Sequence, residues 1–579
     1  MSYLRRFISL FRSQKDLIDI YAPVDPHLEL AEVHRRVIDG GGPALLFHNV
    51  LGSPFPVITN LFGTKKRIDF LFAQAPNNLI QRVVEILNSP PKPSLFWKNR
   101  DILRRSLSLG LKRSRFSSFP FQSMETVDLN RLPMLTSWPE DGGAFLTLPL
   151  VYTESPNTHS PNLGMYRMQR FDNETLGLHF QIHKGGGMHL YEAEQSSQNL
   201  PVTVSLSGNP FLILSAIAPL PENISEMLFC SFLQGHKLKY RKDPHTFHPL
   251  LYDAEFILTG ETLSQQRKPE GPFGDHFGYY SLQHDFPIFK CKKIYYKKDA
   301  IYPATVVGKP YQEDFYLGQK LQEYLAPLFP IVLPGVLDLK SYGETGFHAL
   351  ASAVVKERYW KESLTTALAI LGAGQLSLTK YLLITDQAVD LNKISDVLET
   401  ILSRMQPSRD LIIFSDTSQD TLDYTGTSLN KGSKAILMGV GKQIRTLPHR
   451  YIGGHLPGIS DIEMYCKGCL VLETSLKKLN THDLLTQPSL TKWPLVILTD
   501  NLKETLASDK DFLWRVFTRS APATDLHVLF SEFTQHRPHY RFPIILNSLM
   551  KPSYPKTVEP DPDTVKKVSS RWSEYFKNK

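Results

Sequence analysis

Glu270-Gly-Pro-Phe-Gly-Asp275-His-Phe-Gly-Tyr-Tyr280 lies between two β-patterned runs, Ala254–Leu258 and Ile288–Tyr296. Two Gly and one Pro between Glu270 and Asp275 force a tight bend. Neither a regular helix nor a strand turns two carboxylates five positions apart to one side, whereas such a bend can bring both into one cleft. Taken alone, a Glu-Gly-Pro sequence is most often only a turn.

The same β character extends outward. From about residue 125 to 315, short runs dominate: Phe145–Tyr152, Leu178–His183, Val202–Leu206 and Tyr302–Val307, besides the two above. Gly and Pro punctuate them, which predicts an antiparallel barrel or sandwich. Before this region the pattern is α/β: helix-period Leu28–Val37 stops at Gly40-Gly41-Gly42, and Pro43–Phe47 and Pro56–Asn60 read as strands. After it, Gly318–Ala326 reads as a connecting helix and strands alternate with helices again. The predicted organisation is an α/β domain at 1–124, a β domain at 125–316, a linker helix at 317–330 and an α/β domain at 331–579. Residues 450–540 form an extension of the last domain with the same character, but no internal repeat of fixed period is visible.

Composition narrows the function classes. Of 579 residues, 42% are apolar and 21% charged, ordinary for a globular protein and too apolar for disorder. Sixty-five basic residues against 57 acidic ones leave +8, a mild excess that does not indicate nucleic acid. Lys98–Arg115 carries seven basic residues and one acid, Asp101, but lacks alternating aromatic residues; it reads as a solvated face or linker. Four Cys suit a reducing compartment rather than a disulfide framework. The best apolar run, Pro210–Pro221, falls short of the roughly 18 residues of a membrane span. Met1–Ser13 is amphipathic and lacks the features of a signal peptide, so a cytoplasmic protein is expected.

Three motifs fail on inspection. Gly372-Ala-Gly374 lacks the third Gly of a dinucleotide fingerprint, and Gly439-Val-Gly441-Lys442 lacks the Ser or Thr of a phosphate loop. Cys466-Lys-Gly-Cys469 has no second pair and reads as inert thiols. Two other segments carry more chemistry. Asn162-Leu-Gly-Met-Tyr-Arg167 follows a strand, and His183-Lys-Gly-Gly-Gly187 sets Gly beside His and Lys, a composition suited to backbone approach to an anion.

Taken together, these segments resemble the UbiD family of decarboxylases. Pro23-Val-Asp25-Pro26-His27-Leu-Glu29, Gly41-Gly-Pro43-Ala-Leu-Leu-Phe47 and Asn60-Leu-Phe-Gly63-Thr64 are similar to the family's opening. Asn162–Arg167 and Glu270–Tyr280 resemble its cofactor motif and catalytic loop. Asp299-Ala-Ile-Tyr302 and Gly308-Lys-Pro310 follow in the family's order. The resemblance covers roughly residues 1–440 and, more loosely, 541–576; the added length resembles a menaquinone-associated branch. Gly432-Ser433-Lys434 departs from the family pattern in its continuation, which leaves a phosphate role for Lys434 or Lys551 in doubt.

The resemblance implies a mixed α/β and β multidomain fold with a central split β-barrel that binds flavin. It implies prenylated FMN, held through Mn²⁺ and K⁺. Asn162, His183 and Glu226 would be the metal ligands, an oxygen- and imidazole-bearing set that suits Mn²⁺. Met165, Tyr166, Arg167, His179, Phe180, Gln181, Lys184 and Gly185 would contact the cofactor; carbonyls of Ser215, Ala216 and Ala218 would serve K⁺. Arg167, Glu270 and Asp275 would be the catalytic trio, with Arg167 keeping Glu270 ionised. Like charge and burial would then push Asp275 towards protonation, fitting it as proton donor.

The implied activity is non-oxidative decarboxylation of an aromatic acid in quinone biosynthesis. A polyprenyl-hydroxybenzoate leads to ubiquinone and a dihydroxynaphthoate to menaquinone. A prenyl-FMN synthase would supply the cofactor, nucleic acid would not be a partner, and homo-oligomers are usual in the family. A prenylated substrate would allow loose attachment to the inner face of the cell membrane. An FMN-dependent oxidoreductase on a split barrel and a non-catalytic scaffold are the alternatives; neither requires the Arg167–Glu270–Asp275 set.

Overall fold

The computed structural model describes residues 2–90, 92–114, 119–181, 185–220, 224–475 and 479–577. These form two compact units, Met1–Tyr324 with Lys556–Lys579, and Leu325–Pro555.

In the first unit, a small mixed sheet sets Leu17–Ile20 parallel to Ala44–Phe47, which runs antiparallel to Val57–Thr59. Tyr302–Pro303 closes this sheet as a parallel partner of Val57–Thr59. The expected Tyr302–Val307 strand is therefore shorter and belongs to the N-terminal sheet, because Ala304–Val307 carry no ladder. The amphipathic start becomes helix Tyr3–Ser13, whose apolar side (Leu4, Phe7, Ile8, Phe11) is buried.

The central region is one nine-stranded sheet whose internal pairings are all antiparallel. Its path runs from Phe145–Leu146 to Pro161–Met165 without closing into a ring. The long strands Ala254–Glu270 and His284–Lys297 form its spine, paired from Phe256↔Tyr296 to Glu270↔His284. Strand Pro201–Ser207 lies beside this spine, with Val202, Val204 and Leu206 fully inside. The expected Leu178–His183 strand is instead Thr175–Leu178, placed earlier because it pairs with Met168–Arg170 on one side and Ile288–Lys290 on the other.

A helix at the end of the chain, Pro562–Tyr575, returns to this unit and packs on helix Glu29–Asp39. Tyr575 donates to Glu29 Oε1 at 2.5 Å, Lys567 pairs with Glu29 Oε2 at 2.9 Å, and Arg571 joins the same carboxylate. Val568 and Tyr575 enter the core shared by the N-terminal and central sheets.

The second unit contains two five-stranded sheets of the same topology. The first orders Val336–Ser341, Leu350–Val355, Tyr381–Thr385, Lys431–Gly439 and Leu411–Ser418; the second orders Asp461–Cys466, Cys469–Glu473, Leu495–Thr499, Arg537–Asn547 and Leu526–Thr534. In both sheets the pairings run antiparallel, parallel, parallel, antiparallel. Residues 336–439 and 461–547 thus share one α/β module topology, a likeness that the absence of a fixed sequence period does not reveal.

Sequence traces survive once the copies are aligned. Asp396, Leu398, Arg404, Pro407, Asp410 and Leu411 recur 115 positions on as Asp511, Leu513, Arg519, Pro522, Asp525 and Leu526. Both aspartates do the same work: Asp410 Oδ2 accepts from Gln406 N–H at 2.9 Å, and Asp525 Oδ2 from Ala521 N–H at 2.7 Å. The copies pack reciprocally. Helix Pro407–Asp410 lies on strand Arg537–Asn547 of the second copy, and helix Pro522–Asp525 lies on strand Lys431–Gly439 of the first. One core draws Leu398, Ile401 and Leu437 together with Val471, Ile497, Phe512 and Ile544.

This arrangement explains two discounted motifs. Cys466 and Cys469 face each other across the hairpin turn at Gly468, and burial pushes the Cys469 thiol up, so the pair is inert packing. Lys434 is buried, with its Nζ donating to Thr379 O at 3.2 Å, and Lys551 is engaged by Asp525 at 3.0 Å. We predict that Asp410→Ala and Asp525→Ala each lower stability by about 1–3 kcal/mol, since each removes a buried carboxylate that accepts from a backbone N–H and pairs with a lysine. Matching shifts of the unfolding midpoint in denaturant would check the equivalence of the two copies.

Candidate active site

Arg167 stands between strands Pro161–Met165 and Met168–Arg170. Its guanidinium fans over three partners. Nε donates to Glu270 Oε1 at 2.8 Å, Nη2 to Glu270 Oε2 at 3.0 Å and to Ser281 Oγ at 2.8 Å, and Nη1 to Asp275 Oδ2. The side chains of Arg167, Glu270 and Asp275 are 8%, 0% and 10% exposed, so the cluster lies out of bulk water. The Phe273 ring lies 4.7 Å from the guanidinium carbon. Strand Ala254–Glu270 ends on Glu270, and the bend after it swings Asp275 back to the same arginine, as the loop's composition predicts.

Neighbours fix the bend. Gly271 N–H donates to Gln169 Oε1 at 2.7 Å, while Gln169 Nε2 donates to Gly142 O at 2.7 Å. Gly142 can be nothing larger, because a Cβ there would lie 2.2 Å from Gly271 O. Asp141 Oδ1 accepts from Gly274 N–H at 2.7 Å. The returning chain end closes the far side: Tyr280 N–H donates to Lys556 O, and Val558 N–H to Gly278 O, both at 3.0 Å.

Electrostatics follow from this geometry. Burial, the largest single influence, would raise the Glu270 carboxyl, but the Arg167 guanidinium and the His179 hydrogen bond together outweigh it and pull it down to about 2. His179 Nδ1 lies 3.2 Å from Glu270 Oε2; burial, then Arg167, lower the imidazole's own pKa, so the ring is neutral and acts as a hydrogen-bond donor. Asp275 goes against expectation. Burial does push it up, but the hydrogen bond from His276 and the charge of Arg167 win and hold it well below the usual carboxylate range. Like charge from Glu270 is not decisive, because Arg167 stands between the two acids.

A second cluster adjoins the first through Tyr166. Leu163 N–H donates to Glu226 Oε2 at 3.1 Å, which brings the first residue of helix Glu226–Gln234 beside Asn162. Helix Gly185–Gln195 starts at the same place: a Cβ on Gly185 would lie 2.2 Å from Asn162 Oδ1. The Tyr166 ring meets Phe180 edge to face at 4.9 Å, and a Cβ on Gly186 would lie 2.5 Å from the Phe180 ring. Two helix N-termini therefore converge on Asn162, an arrangement that favours anions.

The expected metal set can be tested on these atoms. Asn162 and Glu226 supply hard oxygen donors side by side, and Asn162 Nδ2 is buried without a hydrogen-bond partner. Burial raises the Glu226 carboxyl, and only backbone N–H groups oppose it. This donor set fits a divalent cation bridging to phosphate. His183 and Lys184 lie outside the described residues. Met165 and Gln181 are half-buried beside these clusters. The Ser215 and Ala218 carbonyls, at the end of helix Pro210–Ile217, accept from Ala218 N–H and Leu220 N–H.

Several contributing residues went unnoticed in the sequence. Gln169, Asp141, Ser281 and the Lys556–Val558 return act from afar, with no local signal. His276 stood in plain view, but its direction depends on how the loop turns.

Comparison with known proteins gives consistent similarities. Three models match in order: the N-terminal domain of 3-octaprenyl-4-hydroxybenzoate carboxy-lyase at residues 8–87, its Rift-related domain at 112–310 and its C-terminal domain at 315–439. A Chlamydia pneumoniae protein named as part of a 4-hydroxybenzoate decarboxylase is 70% identical over 579 residues, 100% of this chain and 99% of that one. An uncharacterised Archaeoglobus fulgidus protein is 35% identical over 74% of this chain and 90% of its own. The fold is similar to Sedimentibacter hydroxybenzoicus vanillic acid decarboxylase (TM-score 0.67, 21% identity, 78% of this chain and 95% of that one). It is also similar to the UbiD-class enzyme HmfF of Pelotomaculum thermopropionicum in complex with FMN (TM-score 0.62, 19% identity, 79% and 97%).

The folded-state value of Glu270 lies below its ordinary one, so its contribution to stability is full above about pH 4.5 and is lost as pH falls towards 2. Glu270→Gln lacks this term. The stability gap between wild type and Glu270→Gln is expected to shrink steadily over that window in pH-dependent thermal melts.

Proposed function

Because the chain belongs to the UbiD family of carboxy-lyases, we propose that it removes CO₂ from an aromatic acid with prenylated FMN as cofactor, in the making of a quinone. The substrate is a hydroxybenzoate bearing a polyprenyl chain or a dihydroxynaphthoate. The observation that carries this reading is Arg167 joining Glu270 and Asp275, acids from either side of one bend, in a chain 70% identical to a protein named for hydroxybenzoate decarboxylation.

Asn162, His183 and Glu226 would hold the metal that anchors the cofactor phosphate, and the N-terminus of helix Gly185–Gln195 would favour the same anion. When bound, prenylated FMN supplies the electron sink for the pair released with CO₂. The protein's own part is charge and proton handling. Arg167 orients the ionised Glu270 and attracts the substrate carboxylate. As that carboxylate draws on the guanidinium, Arg167 holds Asp275 ionised less strongly, and Asp275 can take up and deliver a proton to the carbon that lost CO₂. A nicotinamide-dependent flavin reductase would have no use for two acids on one buried arginine. Among the described residues no helix is long and apolar enough to cross a membrane.

Protein co-expressed with a prenyl-FMN synthase should release prenylated FMN with near-stoichiometric manganese, by mass spectrometry and metal counting; plain FMN or no flavin would remove the proposal. Gly185→Ala forces Asn162 aside, and it should lose flavin and manganese together while melting like wild type. Asp275→Asn and Glu270→Gln should keep both and lose turnover by roughly 100-fold or more.

A further inference from the structure

Each turnover consumes one proton: the carboxylate leaves as CO₂, its bonding pair ends in a new C–H bond, and that hydrogen comes from Asp275. The inference rests on this role of Asp275, proposed above. A buried acid that gives up a proton must be reloaded, and Asp275 is only 7% exposed. Its Oδ2 is occupied by Arg167, which cannot give up a proton at any working pH. Its Oδ1 lies 2.6 Å from His276 Nδ1 and also accepts from His276 N–H at 2.7 Å. The His276 side chain is 26% exposed, so one edge of the ring touches Asp275 while the residue reaches solvent.

The loop enforces this contact. Asp275 N–H donates to Tyr279 O at 3.0 Å, and Gly278 N–H donates to Asp275 O at 2.9 Å, closing a turn around the two residues. The returning chain end at 556–558 braces that turn. Phe277 packs edge-on against the His276 ring at 5.1 Å. The charged groups facing His276 are Asp275 in its own loop and Asp314 in the first turn of helix Glu313–Leu325. Asp314 is pushed up to about 6 by burial, and its Oδ1 has no hydrogen-bond partner.

We propose that His276 is the proton relay that reloads Asp275 from solvent once per turnover. The Nδ1–H bond of the imidazolium breaks as an O–H bond forms on Asp275. The neutral ring keeps its Nε2 proton; a turn of the part-exposed ring about its Cβ–Cγ bond then presents the bared Nδ1 to water, which protonates it, and the turn back restores the contact with Asp275. No electrons move and no co-reactant other than solvent is needed. A ring that acts through Asp275 positions and supplies a proton without touching substrate.

The test uses the full-length, cofactor-loaded protein. His276→Ala should lower steady-state turnover about 10- to 100-fold with KM and flavin content unchanged. Free imidazole should restore it in proportion to its concentration. His276→Gln fills the space and keeps an N–H donor but cannot relay, so it should show the same loss with no rescue. In cofactor-free protein, a downfield proton resonance of a carboxylate-bound Nδ1–H should be present and should vanish in His276→Gln and Asp275→Asn. Normal turnover in His276→Ala, recovery in His276→Gln, or a loss that imidazole leaves untouched would each overturn the relay. Asp275→Asn separates the two readings. Inactive Asp275→Asn beside unimpaired His276→Ala refutes the relay alone, whereas active Asp275→Asn removes the donor role beneath it.

Discussion

A single buried guanidinium organises the candidate active site. Arg167 uses Nε, Nη1 and Nη2 on two carboxylates and a hydroxyl, in surroundings where a lone charge would be heavily penalised. Truncating one member leaves the others uncompensated, a loss of about 3–5 kcal/mol in comparable buried pairs. The strands bring the charges together only because register sets Glu270 opposite His284 and the bend then reverses the chain. Gln169, Asp141 and Gly142 exist around this bend for the same reason: each satisfies or makes room for backbone that the reversal would leave unpaired.

The two clusters divide the labour by charge. Around Asn162, two helix N-termini and the Glu226 carboxylate meet, the place proposed for a phosphate and a cation. Around Arg167, opposite charges hold both acids ionised. Tyr166 and Arg167, adjacent in sequence, connect the two clusters, so a change at one is one residue away from the other.

Local chemistry was legible in the sequence, and distant chemistry was not. Gly271, Pro272 and Gly274 announced the bend because turn formation is a property of a few consecutive residues. That Arg167 meets Glu270, 103 positions away, followed only from resemblance, since strand order is not written in any short window. The direction of the Asp275 shift came out reversed because the hydrogen bond from His276 exists only once the loop has turned, and like charge from Glu270 is offset by Arg167. The duplicated module stayed hidden for another reason. Its copies share a sparse skeleton, Asp-x-Leu through Pro-x-x-Asp-Leu, of which the Leu, Pro and second Asp are buried, while loops of different length shift the offset from 115 residues in the helices to 114 at Thr385-Asp386 and Thr499-Asp500. Burial fixes a handful of positions, and the rest drift.

The paired modules resemble a homodimer whose two halves were joined end to end. Ordinary dimers form only above a threshold concentration; these halves are tethered, so their association is independent of how dilute the protein is. Tethering also breaks the equivalence that symmetry would enforce. The first half keeps Lys380 paired with Asp423 at 2.6 Å and Lys434 buried beside Thr379, whereas Pro494 and Pro543 occupy the corresponding places in the second. In a true homodimer every substitution appears twice. Here one half carries apolar residues where the other keeps the buried Lys380 and Lys434, while both retain the buried aspartates Asp410 and Asp525.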